Sequence, residues 1–217
     1  MKNKKLRIIA YLIPLLVLAV TACLYPRLPE QIPTNWSVDG TVTYSEKHEI
    51  LLIAGMGILF AVLFDILPKI DPRKENYKKF GSYYDGFCIA MQLFMAAMSA
   101  LILLASFHPG KIAVSHIVAV LVGVLLMGLG NIMPKIKSNF YMGIKTPWTL
   151  SDDQIWHRTH RLGGRLFVAA GAVMVLSVLF LPLKPAFFLS MVCILAAALI
   201  PGVMSYLWWK KANPKKS

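Results

Sequence analysis

"GFCIAMQLFMAAMSALILLASF", residues 86–107, runs for 22 residues without one charged side chain. At 1.5 Å rise per residue a helix of that length covers about 33 Å, enough to cross a hydrocarbon core of roughly 30 Å. Lipid offers the backbone no hydrogen-bond partners, so the run reads as a transmembrane helix. Five more runs share its character, at 6–25, 48–67, 112–133, 163–183 and 185–209. The composition agrees. Of 217 residues, 57% are hydrophobic and 15% charged, and a mean hydropathy of +0.62 is too apolar for an ordinary soluble domain. The chain is predicted to be an all-α integral membrane protein with six transmembrane helices.

Two connections, "HPGK" (108–111) and "LPLKP" (181–185), are just long enough to reverse direction. Helices 3–4 and 5–6 should therefore pack as antiparallel hairpins. Small residues such as Gly123, Gly130 and Ala169 to Ala172 supply close-approach faces for such packing. The basic residues set the orientation. Lys2, Lys4, Lys5 and Arg7 stand at the N-terminus, and Lys69, Arg73, Lys74, Lys78 and Lys79 fall in the second connection. Lys135, Lys137, Lys145, Arg158, Arg161 and Arg165 fall in the fourth, and Lys210, Lys211, Lys215 and Lys216 in the tail. That places 19 of the 23 Lys and Arg residues on one side, so both termini are expected in the cytoplasm. The formal net charge of +13 then calls for membrane lipids as partners, not for direct contact with nucleic acid.

Cys23, Cys88 and Cys193 all fall inside predicted helices, with no Cys-x-x-Cys spacing, and read as packing residues. "VTAC" ending at Cys23 loosely resembles a lipoprotein attachment site. Five further spans favour an uncleaved first helix instead.

The longer connections carry the polar chemistry. The first, on the outer side, is "YPRLPEQIPTNWSVDGTVTYSEK" (25–47). Asp39-Gly40 is a strong turn signal, and "TNWSV" and "TVTYS" flank it as candidate strands of a short hairpin. Trp36 and Tyr44 are expected at the headgroup level. The second, "PKIDPRKENYKKFGSYYD" (68–85), reads as a solvated basic segment beside anionic lipid.

The fourth contains "NFYMGIKTPWTLSDDQIWHRTHR" (139–161). Gly143 and Thr146-Pro147 oppose a regular helix. Ser151 with Gln154 is expected to form a capping box that restarts one. Trp156 and His160 then share a face at i, i+4. His157 and His160 lack a third ligand at zinc spacing, and "HEILL" (48–52) has Leu52 where a zinc protease needs its second His. No metal, cofactor or catalytic residue is predicted, and the chain does not read as an enzyme. Asp65, His116 and Asp85 are few ionisable groups for a proton-coupled transporter. Two alternatives stay open: a small-molecule or toxin transporter, and a membrane enzyme acting on lipid or peptide around His157, His160 and Asp153.

Two blocks resemble the SdpI family, the immunity proteins that protect bacteria from sporulation-delaying-protein toxin. "LPEQIPTNWSVDGTVTYSEK" is similar to the segment after the first span of such proteins. "GNIMPKIKSNFYMGIKTPWTLSDDQIWHRTHRLGGRLFVAAG" resembles the family's core signature, with Lys145 standing where an Arg is expected. The resemblance divides the chain at 68. Residues 1–68 hold helix 1, the outer loop and helix 2, and residues 69–217 the SdpI-like four-helix region with its signature loop at 135–162. It implies a multi-pass protein of the bacterial plasma membrane that confers resistance to an extracellular peptide toxin. In the best-known arrangement, such a protein also recruits a cytoplasmic transcriptional repressor. The signature residues expected to act or to set the fold are Asn131, Asn139, Gly143, Thr146, Pro147, Trp148, Trp156, His160 and Arg161. The outer recognition residues are Pro33, Asn35, Trp36, Asp39 and Gly40.

Overall fold

A computed structural model describes residues 3–214; Lys2, Lys215 and Lys216, counted in the charge asymmetry, lie outside the described residues. The elements in chain order are α1 (Lys4–Leu24), β1 (Gln31–Trp36), β2 (Val42–Glu46), α2 (Glu49–Ile70), α3 (Lys74–Phe107) and α4 (Val114–Ile132). The short α5 (Pro147–Ser151) then leads into α6 (Asp153–Phe180) and α7 (Leu183–Ala212). All but α5 among the helices are long and apolar enough to cross a membrane, so six helices stand where six apolar runs stood. This is a multi-pass membrane protein.

Two helices, α3 and α6, start ten or more residues before their apolar runs. α3 begins at Lys74 because Tyr77, Phe80 and Tyr84 fall on one face at i, i+3, i+7, and all three are buried. Their rings touch, with centroids 5.0 Å apart for Tyr77 and Phe80 and 5.3 Å for Tyr77 and Tyr84. The segment expected to be solvated is thus a half-buried helical turn, kinked at Phe80. α6 runs unbroken from Asp153 through Gly163-Gly164 to Phe180.

The chain forms two compact units. One comprises Met1–Ile66 and Asp85–Leu121. Here a Cβ on Gly57 would come within 2.8 Å of the Pro14 Cβ, so glycine lets α2 lie against α1. Beside that contact Gln92 of α3 donates Nε2–H to the Gly57 carbonyl at 3.1 Å. Near the start of α1, Arg7 reaches the buried Asp65 of α2 at 2.6 Å, and the Asn3 amide donates to the buried Asp85 of α3 at 2.9 Å.

The same unit carries the hairpin. Gln31 pairs with Glu46, Ile32 with Ser45 and Pro33 with Tyr44; past an irregularity, Asn35 pairs with Thr43 and Trp36 with Val42. β1 begins three residues before the expected strand because Ile32 is its anchor. That side chain is fully buried among Leu28, Ile50, Ile102 and Leu103. Trp36 packs against the same cluster and against Leu101, Ala105 and Val114, while Tyr44 stays exposed.

The second unit comprises Leu67–Tyr84 and Val122–Ser217. Gly130 of α4 faces Gly164 and Val168 of α6, where an added Cβ would meet the Gly164 carbonyl at 2.6 Å. Gly123 and Gly171 repeat the contact two turns away, so two backbones approach along a glycine face. α6 and α7 pack against each other, with Ser177 and Ser190 hydroxyls 3.3 Å apart.

Candidate functional site

The stretch between α4 and α6 has little regular structure, so its backbone must find partners one group at a time. Asn139 supplies most of them. It is fully buried. Its Oδ1 accepts from the amides of Tyr141 at 2.9 Å and Met142 at 2.7 Å. Its Nδ2 donates to the carbonyls of Lys137 at 2.8 Å and Met142 at 3.1 Å. A side-chain amide has two acceptor lone pairs and two donors, so Asn139 is saturated by its own loop.

A second layer comes from the segment ahead of α3 and from the first turn of α3. Asp71 is buried, and its Oδ2 accepts from the Phe140 amide at 2.9 Å while its Oδ1 accepts from the Arg73 amide at 2.7 Å. The Tyr77 hydroxyl lies 3.1 Å from Asp71 Oδ2 and 3.2 Å from Asn139 Oδ1, with one proton to offer between them. Arg73 bonds the Ser138 hydroxyl and donates Nη2–H to the Leu150 carbonyl at 2.7 Å, with its guanidinium 5.4 Å from the Phe140 ring centroid. Asn76 donates to the Ser138 carbonyl at 2.7 Å. Sequence reading missed Asp71, Arg73, Asn76, Tyr77 and Ser138. The aromatic spacing of Tyr77, Phe80 and Tyr84 was the signal that could have found them.

A third layer comes from α6. Trp156 donates Nε1–H to the Ile136 carbonyl at 2.9 Å. The His160 ring stacks on the indole, 4.0 Å between centroids and 18° from parallel. The Ile144 amide donates to His160 Nε2 at 3.0 Å, and His160 Nδ1 lies 2.8 Å from the Trp156 carbonyl. An acceptor at one nitrogen and a donor at the other fix a neutral imidazole with its proton on Nδ1. Gly143, at φ +107°, passes over this ring so closely that a Cβ would collide with His160 Nε2.

α5 is held by Thr146 and Thr149, which form a reciprocal capping box: the Thr149 amide donates to Thr146 Oγ1 at 3.1 Å and the Thr146 amide to Thr149 Oγ1 at 2.9 Å. Pro147 occupies the first turn, where its missing N–H costs nothing. Thr146 also meets the Ser205 hydroxyl of α7 at 2.9 Å, and Trp148 packs on Tyr206 with ring centroids 4.9 Å apart. The cap of α6 is Asp152, accepting from Gln154 and Ile155 amides, in place of the expected Ser151, which closes α5.

Of the signature residues, Asn139, Gly143, Thr146, Trp156 and His160 thus converge on one hydrogen-bonded frame, flanked by Pro147 and Trp148. Asn131 and Arg161 are exposed and stand outside it. His157 is exposed too, 3.2 Å from the Lys137 ammonium. An open polar cleft of about 510 Å³ lies beside the frame, lined by Arg73, Asn76, Leu150, Ser151, Asp152 and Asp153. The five outer residues lie on the hairpin: Pro33 is buried, Trp36 half-buried, and Asn35, Asp39 and Gly40 exposed. Asp39 accepts from the Thr41 amide and hydroxyl, and Gly40 takes φ +90° to close the turn.

Residues 135–205 match the model of the SdpI/YfhL protein family, and residues 12–58 match a domain of unknown function, DUF1648. The chain is 26% identical to Immunity protein SdpI of Bacillus subtilis (strain 168) over 211 residues, which cover 96% of this chain and 98% of that protein. No solved structure matches the chain. The frame around Asn139 and His160, with α6 and most of α7, thus lies within the residues that match the SdpI/YfhL family model, in a chain similar to an SdpI immunity protein along nearly its whole length.

Proposed function

We propose that this protein is a membrane immunity protein of the bacterial plasma membrane that confers resistance to a peptide toxin of the sporulation-delaying type. The observation that carries the reading is the nearly full-length likeness to Immunity protein SdpI, which extends through the hairpin and the signature frame alike. The basic asymmetry supports an orientation with the hairpin outside the cell and the frame on the cytoplasmic side. The hairpin then meets the toxin. On the opposite side, Arg158, Arg161 and Arg165 form an exposed stripe at i, i+3, i+7, suited to anionic headgroups. Recruitment of a transcriptional repressor belongs to the same side and to the same proposal.

The test is survival. The protein is expressed in a toxin-sensitive bacterium lacking its own immunity gene, and the cells are challenged with sporulation-delaying toxin. Protection that tracks the amount of protein in the membrane is the expected result. Unprotected cells with full membrane levels would overturn the reading.

A further inference from the structure

A two-stranded hairpin has two unpaired edges. In an antiparallel pair, residues that exchange backbone bonds with the partner alternate with residues whose N–H and C=O point away. Two bonds fix the phase: the Lys47 amide donates to the Glu30 carbonyl at 2.9 Å, and the Ser37 amide donates to the Thr41 carbonyl at 2.9 Å. Stepping inward from both, Thr43 and Ser45 face β1, while Val42, Tyr44 and Glu46 turn their backbone groups to the other edge. The irregularity between Pro33 and Asn35 absorbs the one-residue difference between the two counts. Among the described residues, no backbone hydrogen bond joins these three groups to a segment outside the hairpin.

The two edges differ. On β1 the outward position at Pro33 has no N–H to give, and the strand is anchored by the buried Ile32. β2 carries no proline, and its Val42 and Tyr44 are 36% and 48% exposed. Charge adds a preference. From Arg27 to Glu49 there are four carboxylates, Glu30, Asp39, Glu46 and Glu49, against two cations, Arg27 and Lys47, in a chain of formal net charge +13. The Glu46 carboxylate, 3.1 Å from His48 Nδ1, is 80% exposed at the end of that edge.

We propose that the β2 edge takes up an extended, cationic peptide segment as a third strand, through backbone bonds to Val42, Tyr44 and Glu46. This rests on the immunity reading for the outward placement of the hairpin and for a peptide as the natural ligand.

The test uses the full-length protein in phospholipid nanodiscs and residue-resolved amide hydrogen exchange. One probe is the sporulation-delaying toxin; the other is a synthetic peptide of alternating threonine and valine with a lysine at each end. Strand addition slows exchange at Tyr44 and Glu46 by about tenfold or more. Thr43 and Ser45, already paired with β1, change little. Tyr44→Pro removes an outward N–H and no ladder donor, so it abolishes the slowing at Glu46, whereas Tyr44→Thr keeps it; Val42→Pro gives a second such test if Tyr44→Pro loosens the ladder. Undiminished binding by both proline variants overturns the proposal. So does a toxin that the protein resists in cells without slowing Tyr44 or Glu46, and the immunity reading then survives. Slowing by the synthetic peptide in a protein that does not protect cells leaves the edge standing and removes the immunity reading. No slowing by either probe, with no protection, removes both.

Discussion

The hairpin at 31–46 and the signature loop at 135–162 both carry Trp, Thr and Asn, but they use these residues in opposite ways. In the loop, polar groups turn inward. Asn139, His160 and Thr149 are fully buried, and every ring nitrogen of His160 and every polar atom of the Asn139 amide has a partner within the same frame. In the hairpin, Asn35, Asp39, Tyr44 and Glu46 face outward, and only Ile32 with Pro33 is buried. A stretch dense in unusual residues is therefore a framework in one place and an open surface in the other. Burial of the side chains decides which.

Four substitutions sharpen or break that contrast. Asn139→Ala strands two loop amides and two carbonyls at once. At about 1–3 kcal/mol for each buried group left unpaired, with partial relaxation, a loss of about 3–5 kcal/mol is expected. Thermal unfolding in detergent and the amount of protein reaching the membrane would show it. Gly143→Ala forces a Cβ into the His160 ring at positive φ and is expected to cost about 2–4 kcal/mol, read the same way. Trp156→Phe keeps the stack on His160 but loses the bond to the Ile136 carbonyl, for about 1–2 kcal/mol. Tyr44→Thr in the hairpin should leave stability within about 0.5 kcal/mol of the parent, because an exposed β-former replaces another. A large loss there, or none at Asn139, would erase the distinction.

Much of this was legible in the residues. The six apolar runs are the six helices because lipid permits the backbone little else, and Asp39-Gly40 marks the hairpin turn by its chemistry. The Trp156 and His160 spacing at i, i+4 foretold their stack. The partners of the loop were not legible. Asp71 meets Phe140 and Asn76 meets Ser138 across more than sixty residues, and no local pattern records such a pairing. The charges of Lys74, Lys78 and Lys79 mask the aromatic face between them in the sequence. Ser151 failed as a cap for a local reason: the Thr146 box had already built a turn that ends on it, leaving Asp152 extended and able to cap α6.

On the proposed reading the loop holds the fold and the hairpin meets the toxin. Survival under toxin and membrane level, measured together in the same cells for Asn139→Ala, Gly143→Ala and Tyr44→Pro, test it most directly. The two loop variants are expected to lose protection in step with their loss from the membrane, while Tyr44→Pro stays at full level and fails to protect. A loop variant at full level that no longer protects, beside a hairpin variant that does, would contradict it.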